Sequence, residues 1–253
     1  MPSQLFVANW KMQKTFLESI EYCNANINVL TKLGETPDAE IVICPTFPAL
    51  HALTALLAQS RVRLGGQTVS AHSSGAYTGQ VSAQTLKEVG CSYCIVGHSE
   101  QREYNGVTNQ DVAHAAKNLC DSGIEPIICI GETLKQFQKN EAIATLEAQL
   151  DLVLAAIKNK QQPITIAYEP VWAIGTGIVP EIVYLEKIFQ HLATLLSATH
   201  AGPWRLIYGG SVSTQTITSF KTIPTLSGFL IGSASLDFQN FEKIVSLRKI
   251  GAL

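Results

Sequence analysis

Five polar residues with chemically useful side chains stand directly after short apolar runs of the chain. Asn9 and Lys11 follow the first run, His98 and Glu100 follow another, and Glu169 follows a third. A carboxylate in apolar surroundings is a stronger base than one in water. A neutral imidazole donates a hydrogen bond to a carbonyl oxygen, and a fixed ammonium stabilises negative charge. This set suits the removal of a proton next to a carbonyl, with an enediolate as intermediate.

Two glycine-containing turns offer groups that bind phosphate. Gly209-Gly210-Ser211 and Gly232-Ser233 each follow an apolar run, and we expect a helix after each turn. Backbone N–H groups at the positive end of a helix are ready ligands for an anion. Either turn alone is more typical of an ordinary tight turn, but two of them on the last two strands, where barrels commonly bind phosphate, predict a phosphate site.

The histidine opens a segment that we expect to begin a helix, with Ser99 as the N-cap. The positive end of that helix disfavours imidazolium, so we expect His98 to be neutral. For each residue taken alone, a purely structural role remains an alternative. Lys11 could be a surface lysine, His98 a capping or core residue, and Glu169 a structural partner of Lys11.

Eight short apolar runs precede these polar positions at regular intervals. They predict strands at Leu5–Asn9, Glu40–Cys44, Val62–Gly66, Tyr93–Gly97, Pro126–Gly131, Thr165–Tyr168, Arg205–Gly209 and Gly228–Gly232. The runs are apolar at nearly every position, as in parallel strands that are covered on both faces. The segments between them have helical periodicity, and Glu141–Lys158 carries one apolar stripe.

Eight strand–helix units in 253 residues predict an α/β fold, a closed (β/α)₈ TIM barrel. An open doubly wound sheet is the alternative, but it usually has fewer strands and a glycine-rich dinucleotide turn after the first. No linker divides the chain, so we expect one catalytic domain over residues 1–253. In such a barrel the loops after the strands form the active face, where all the polar residues above fall.

Composition excludes several classes of function. The chain has 18 Lys and Arg against 20 Asp and Glu, for a formal net charge of −2, which argues against a nucleic-acid partner. No apolar run is long enough for a membrane helix, and the first residues lack a signal-like pattern, so we expect a cytoplasmic protein. The six cysteines fit reduced core thiols, Cys91 and Cys94 included. We therefore expect no metal and no cofactor.

Four segments of the sequence resemble the triosephosphate isomerase family. They are Ala8-Asn9-Trp10-Lys11-Met12, Val96-Gly97-His98-Ser99-Glu100, the run from Ala167 to Gly177, and Tyr208-Gly209-Gly210-Ser211. The resemblance extends from Phe6 to about Leu236. The segment around Glu169 with the residues that follow it is highly specific, whereas Gly-Gly-Ser alone is not.

The resemblance implies interconversion of D-glyceraldehyde 3-phosphate and dihydroxyacetone phosphate, in glycolysis and gluconeogenesis. Glu169 would then move the proton between two carbons, as the family's glutamate does beside a neutral histidine. His98 would polarise the oxygens, and Lys11 and Asn9 would stabilise charge, with Glu100 as a second carboxylate near Lys11.

The resemblance also implies a lid and a homodimer. Trp172–Gly177 would close over the phosphate, with Gly175 binding it beside Gly210, Ser211, Gly232 and Ser233. Gly75–Gln80 resembles the loop with which each subunit of the family reaches the other, so we expect a homodimer through this loop.

The chain departs from the family's pattern at several positions. Glutamines stand at 80 and 101, where an acid and an arginine usually pair across the dimer, and an acid near Val107 is missing. A neutral amide contact in place of that ion pair would make the dimer relatively insensitive to salt through this contact. Ile178 stands after the lid, where the family commonly has a lysine. Ser233 stands where the family usually has a glycine. The backbone N–H of Ser233 can still bind phosphate if the φ angle permits a side chain.

Two rival functions remain to be weighed against an isomerase. A barrel aldolase would need a lysine buried on a strand, and Lys11 is the only lysine near the predicted mouth. A catalytically silent scaffold would have no need of a base and a donor together.

Overall fold

The computed structural model describes residues 3–247, and within that range eight parallel strands close into a barrel. The strands are β1 Gln4–Asn9, β2 Ala39–Cys44, β3 Arg63–Gly66, β4 Cys91–Val96, β5 Glu125–Ile130, β6 Ile164–Tyr168, β7 Trp204–Tyr208 and β8 Gly228–Ile231. Their order around the barrel follows the chain, and β1 pairs with both β2 and β8. The predicted (β/α)₈ fold is confirmed, and each predicted strand overlaps an observed one.

The connections between strands are mainly helical. The α-helices are α1 Phe16–Ala25, α2 Ile27–Gly34, α3 Phe47–Leu56, α4 Ala83–Glu88, α5 Ser99–Asn105, α6 Asn109–Asp121, α7 Leu134–Gln138, α8 Ala142–Ile157, α9 Ile182–Thr199 and α10 Phe238–Leu247. Short 3₁₀ helices cover Val171–Ala173, Ile217–Thr222 and Ser233–Ser235. Helix α8 matches the predicted segment 141–158 closely.

The strands are buried on both faces because two apolar layers meet on them. Alternate side chains such as Leu5, Ile95 and Ile127 fill the barrel interior. Their neighbours along the strands, such as Phe6 and Ile128, pack outward in the layer under the helices. This double coverage explains why the strands are continuous apolar runs rather than alternating patterns.

Side-chain caps fix where several helices begin. Thr15, Thr108 and Thr133 each accept a hydrogen bond from the third helical residue, whose own side chain bonds back to the threonine. Such capping boxes satisfy N–H groups that have no partner within the helix. The loops above the strands therefore enter their helices in defined directions.

Two local expectations were wrong. His98, not Ser99, is the N-cap of α5, since its side chain accepts from the Glu100 N–H. No helix directly follows Gly209-Gly210-Ser211, because a loop tied by Ser213 and Thr216 intervenes before the 3₁₀ helix at Ile217. After Gly232 only one 3₁₀ turn forms.

The predicted domain, 1–253, includes residues 1–2 and 248–253, which lie outside the described residues. Within the described residues, no helix is both long and apolar enough to cross a membrane.

Candidate active site

One cavity of about 610 Å³ opens at the carboxyl ends of the strands. All ten predicted site residues line it: Asn9, Lys11, His98, Glu100, Glu169, Gly175, Gly210, Ser211, Gly232 and Ser233. They come from loops that follow five different strands and lie far apart in the sequence. Closure of the barrel is therefore what brings them together.

The carboxylate and the imidazole face each other at the floor of this cavity. Glu169 Oε1 lies 3.4 Å from His98 Nε2, and the two side chains are 4 % and 6 % exposed. Glu169 begins directly after β6, where its N–H donates to the Ile130 carbonyl oxygen at 2.8 Å. A substrate in the cavity would thus meet a water-poor carboxylate beside a ring nitrogen.

The hydrogen bonds of His98 define its tautomer. Nδ1 accepts from the Glu100 N–H at 3.3 Å, so this nitrogen carries no proton. The proton of a neutral ring then sits on Nε2, which points toward Glu169 and the cavity. Capping of α5 therefore makes His98 a hydrogen-bond donor at the site.

Lys11 pairs with Glu100 rather than with the base. Its Nζ lies 2.6 Å from Glu100 Oε1, and the two side chains are 25 % and 40 % exposed. The lysine backbone has φ 51°, in the left-handed region, and its N–H donates to Asn9 Oδ1 at 3.1 Å. This turn directs the ammonium into the cavity, and the pairing of Glu169 with Lys11 that we considered is absent.

Two glycines make room for Glu169. A Cβ on Gly209 would lie 2.7 Å from Glu169 Cγ, and a Cβ on Gly131 would overlap the Glu169 carbonyl oxygen. Either contact would push the carboxylate or its backbone away. Glycine at these two positions therefore sets where Glu169 can stand.

The residues expected to bind phosphate border the cavity together. Gly210, Ser211, Gly232 and Ser233 all border it. Among the described residues other than glycine, positive φ angles occur only at Lys11 and Asn140, so Ser233 carries its side chain without backbone strain. The substitution of serine for glycine leaves the N–H group in place.

The expected lid begins in the 3₁₀ helix Val171–Ala173 and continues through two glycines. Gly175 and Gly177 have φ 69° and 76°, and no heavy atom lies within 4 Å of a Cβ built on either. Glycine is needed here for the backbone conformation, not for space. Ser211 Oγ donates to the Ala173 carbonyl oxygen at 2.7 Å, which ties this segment to the Gly209-Gly210-Ser211 turn.

A buried carboxylate that the sequence reasoning did not select anchors the lid. Glu132 is fully buried and accepts hydrogen bonds from Trp172 Nε1 at 2.8 Å and from the hydroxyls of Tyr168 and Tyr184 at 3.1 Å. Its place just after β5 could have suggested it, since polar residues at this edge lie near the cavity. The stacking of Phe137 on Trp172, with centroids 4.5 Å apart, covers the same anchor.

Two further neighbours of the site were not predicted to act there. Gln67 Nε2 donates to the carbonyl oxygens of Lys11 and Cys44 at 2.8 and 2.9 Å, and so holds the lysine turn. Cys129, expected to be a core residue, contacts Glu169. Burial, the negative charge of Glu169 and a hydrogen bond with it raise the pKa of the Cys129 thiol well above its usual range.

A second cavity, of about 570 Å³, adjoins the Gly75–Gln80 loop. Thr78, Gly79, Gln80, Gln101 and Val107 are among its lining residues. The loop itself is exposed, and Tyr77 stacks on His72 with the ring centroids 3.8 Å apart. The loop is therefore accessible, and the cavity opens beside it.

In the described part of the chain, no three His, Cys, Asp or Glu side chains cluster in a way that could hold a metal ion. All six cysteines are buried and unpaired. The chemistry available in the main cavity is that of the carboxylate, imidazole, amide and ammonium described above.

Comparisons with known proteins agree with this geometry. Residues 4–248 match the family model described as triosephosphate isomerase. The triosephosphate isomerase of Aquifex aeolicus is 39% identical over 246 residues, which cover 96% of this chain and 98% of that protein. The triosephosphate isomerase of Thermus thermophilus is 40% identical over 248 residues, with coverage of 96% and 98%.

Proposed function

This chain belongs to the triosephosphate isomerase family, and from that premise we propose which of its residues carry the reaction. The chain is an isomerase that interconverts D-glyceraldehyde 3-phosphate and dihydroxyacetone phosphate, a step of glycolysis that runs in reverse in gluconeogenesis. The reaction moves one proton between adjacent carbons while the two oxygens exchange their roles as carbonyl and hydroxyl.

Glu169 is the base of this reaction. Its carboxylate removes the proton next to the carbonyl, and the electrons of that C–H bond form an enediolate. The acid form of Glu169 then returns a proton to the neighbouring carbon. Burial at 3 % exposure keeps water away from the carboxylate.

Three donors stabilise the enediolate oxygens. His98 donates from Nε2, in the tautomer that its contact with Glu100 favours. Lys11 supplies a positive charge, and Asn9 lines the cavity beside it. Glu100 holds the lysine through its 2.6 Å ion pair and acts as the second carboxylate of the site.

The phosphate binds through Gly210, Ser211, Gly232 and Ser233, with Gly175 closing from the lid. Backbone N–H groups at these turns are the donors, because such groups can bind an anion without the help of a cationic side chain. The lid then excludes water and limits loss of phosphate from the enediolate. No cofactor takes part in this scheme.

The observation that carries this proposal is the 3.4 Å contact of Glu169 with His98 at the floor of the cavity. The test is turnover of glyceraldehyde 3-phosphate, coupled to reduction of dihydroxyacetone phosphate, by the parent and by Glu169→Gln. The matched control is Glu35→Gln, the same chemical change at an exposed position. We expect loss of turnover in the first variant alone, and parent-like turnover by Glu169→Gln would refute the assignment.

The chain works as a homodimer through the Gly75–Gln80 loop. The exposed loop and the adjoining cavity of about 570 Å³ support this arrangement, in which each loop enters the partner's cavity. Gln80 and Gln101 border that cavity on the same subunit and supply amides where the family usually has charges.

The protein is cytoplasmic, and the described residues, 3–247, belong to a single barrel domain. The six reduced, buried thiols support a reducing compartment. The continuous ring of eight strands, with no linker between them, supports one domain.

A further inference from the structure

The backbone next to the catalytic carboxylate is held by a side chain of α8. Gln149 Nε2 donates to the Gly131 carbonyl oxygen at 3.0 Å, and Gln149 Oε1 accepts from the Gly131 N–H at 2.8 Å. One planar amide therefore satisfies both polar groups of a single residue just past β5. Two parallel hydrogen bonds fix the tilt of this peptide segment as well as its position.

Gly131 transmits that constraint to Glu169. The Gly131 Cα lies so close to the Glu169 backbone that an added Cβ would overlap its carbonyl oxygen and lie 2.7 Å from its carbonyl carbon. The Glu169 N–H donates to the adjacent Ile130 carbonyl oxygen at 2.8 Å. A shift of Gly131 would therefore move the backbone that carries the base.

The same helix is tied to the segment that carries the imidazole. Asn109 Nδ2 donates to the Ala148 carbonyl oxygen at 3.1 Å, one residue before Gln149. Asn109 Oδ1 accepts from Arg102 Nη1 at 2.7 Å, and Arg102 Nε donates to the Gly97 carbonyl oxygen at 2.8 Å. Gly97 directly precedes His98, so α8 is linked by hydrogen bonds to the backbone beside His98 and, through Gly131, contacts the backbone of Glu169.

We propose that Gln149 is a positioning residue for the isomerase reaction, which holds Glu169 at its working distance from His98 through Gly131. The inference rests on the proposed role of Glu169 as the base. Proton transfer from carbon requires close, aligned contact, and a displacement of about 1 Å can cost about 10²-fold in rate. Gln149 does not line the main cavity, so its effect falls on the chemical step rather than on substrate binding.

The first test is Gln149→Met, which keeps a side chain of similar length and removes both hydrogen bonds. We expect kcat to fall about tenfold, with KM changed by less than about twofold. The matched control is Gln190→Met, at an exposed position of α9, which should leave both constants unchanged. Urea unfolding of each variant separates loss of positioning from loss of fold.

The second test is Gln149→Glu, read as a function of pH. The carboxylate form accepts from the Gly131 N–H but repels the Gly131 carbonyl oxygen, whereas the protonated form both accepts and donates, as the amide does. We expect the ratio of variant to parent kcat to rise as the pH falls toward 5. In Gln149→Met the same ratio should stay flat, because methionine does not titrate.

Glu169→Gln, assayed alongside, distinguishes the two ideas. Turnover retained by Glu169→Gln would refute the proposed base, whatever Gln149 does. Loss of turnover in Glu169→Gln with parent-like kcat in Gln149→Met would overturn the role of Gln149 alone, as would a change confined to KM. If Gln149→Met does not fold, the pH dependence of Gln149→Glu decides, and a flat ratio would overturn the inference.

Discussion

A single histidine caps a helix and holds the donor position that the proposed mechanism requires. His98 uses Nδ1 to cap α5 and thereby leaves its proton on Nε2, 3.4 Å from Glu169. Because a capping nitrogen must be unprotonated, the cap and the donor role depend on the same neutral ring. The two functions cannot be separated by moving the side chain.

Replacing this ring should weaken the chemical step more than binding. We expect His98→Gln to lower kcat about 10²-fold, because glutamine places its N–H differently and loses the cap, while KM changes by less than about threefold. Steady-state kinetics in both directions measure this. His114→Gln, on the exposed side of α6, is the control, and an unchanged kcat in His98→Gln would contradict the donor role.

That the predicted residues meet at one cavity could be foreseen, because nine of them stand at or shortly after a recognisable strand and parallel strands end at one edge. Gly175 was predicted only from the family resemblance. Glu132 and Gln149 were missed for a physical reason. Their importance depends on contacts with Trp172 and Gly131, which lie 40 and 18 positions away in the chain. Periodicity and capping patterns depend only on residues that are close in sequence. Contacts between distant residues therefore cannot be predicted from them.

Among the elements, the lid is the one whose anchoring can be altered without touching the base. Trp172 joins it to Glu132 through a 2.8 Å hydrogen bond, and Ser211 joins it to the phosphate turn at 2.7 Å. Both contacts lie at the beginning of the lid, whereas the glycines at 175 and 177 allow its tip to bend. The absence of a helix after Gly209-Gly210-Ser211 follows from local hydroxyl contacts of Ser213 and Thr216, which outcompete helical bonding.

Weakening the lid anchor should increase a side reaction. Trp172→Phe keeps an aromatic ring against Phe137 but removes the N–H that Glu132 accepts. We expect a larger fraction of turnovers to release inorganic phosphate, because a poorly held lid exposes the enediolate. Phosphate release per product formed measures this. Trp204→Phe, at the start of β7, should match the parent, and an unchanged fraction in Trp172→Phe would contradict the anchor.

At the scale of the whole molecule, a second group of charged side chains lies at the end of the barrel opposite the cavity. At the end opposite the cavity, Arg205 Nη1 lies 2.7 Å from Glu40, and Nη2 lies 3.0 Å from Glu125. Tyr93 donates to Glu40 at 2.5 Å, and Thr165 donates to Glu125 at 2.5 Å. This partly buried cluster joins strands that are not neighbours, and it was not predicted because its members are scattered over 165 positions.

The cluster around Arg205 should make the free energy of unfolding depend on pH in the acidic range. Burial alone would raise the pKa of Glu40, but hydrogen bonds from Tyr93 and Arg205 and the charge of Arg205 hold it below its ordinary value of 4.5. A lowered folded pKa stabilises the fold above the unfolded value, and this contribution is lost as the pH falls through the folded value. We expect Glu40→Gln to be less stable than the parent at pH 7, with a difference that shrinks below about pH 4.5.

Urea unfolding at a series of pH values measures that difference. Glu35→Gln, an exposed change, should show no such trend. If the difference in unfolding free energy between Glu40→Gln and the parent does not change with pH, the charge of Glu40 does not stabilise the barrel.

The association of two subunits should respond little to salt. Gln80 and Gln101 are neutral, so screening has no ion pair to weaken at this contact. We expect the dimer dissociation constant to change by less than about threefold between about 0.05 and 0.5 M NaCl. Sedimentation at both concentrations tests this, and strong dissociation by salt would show that other charges hold the interface.

The most direct test of the central claim follows the proton itself. Dihydroxyacetone phosphate is incubated in D₂O with the parent, Glu169→Gln or Glu35→Gln, and deuterium at the carbon that bears the free hydroxyl is measured by NMR. The assigned role of Glu169 predicts deuterium at one of the two positions on that carbon with the parent and the control, and none above background with Glu169→Gln. Exchange by Glu169→Gln at the parent rate would contradict it.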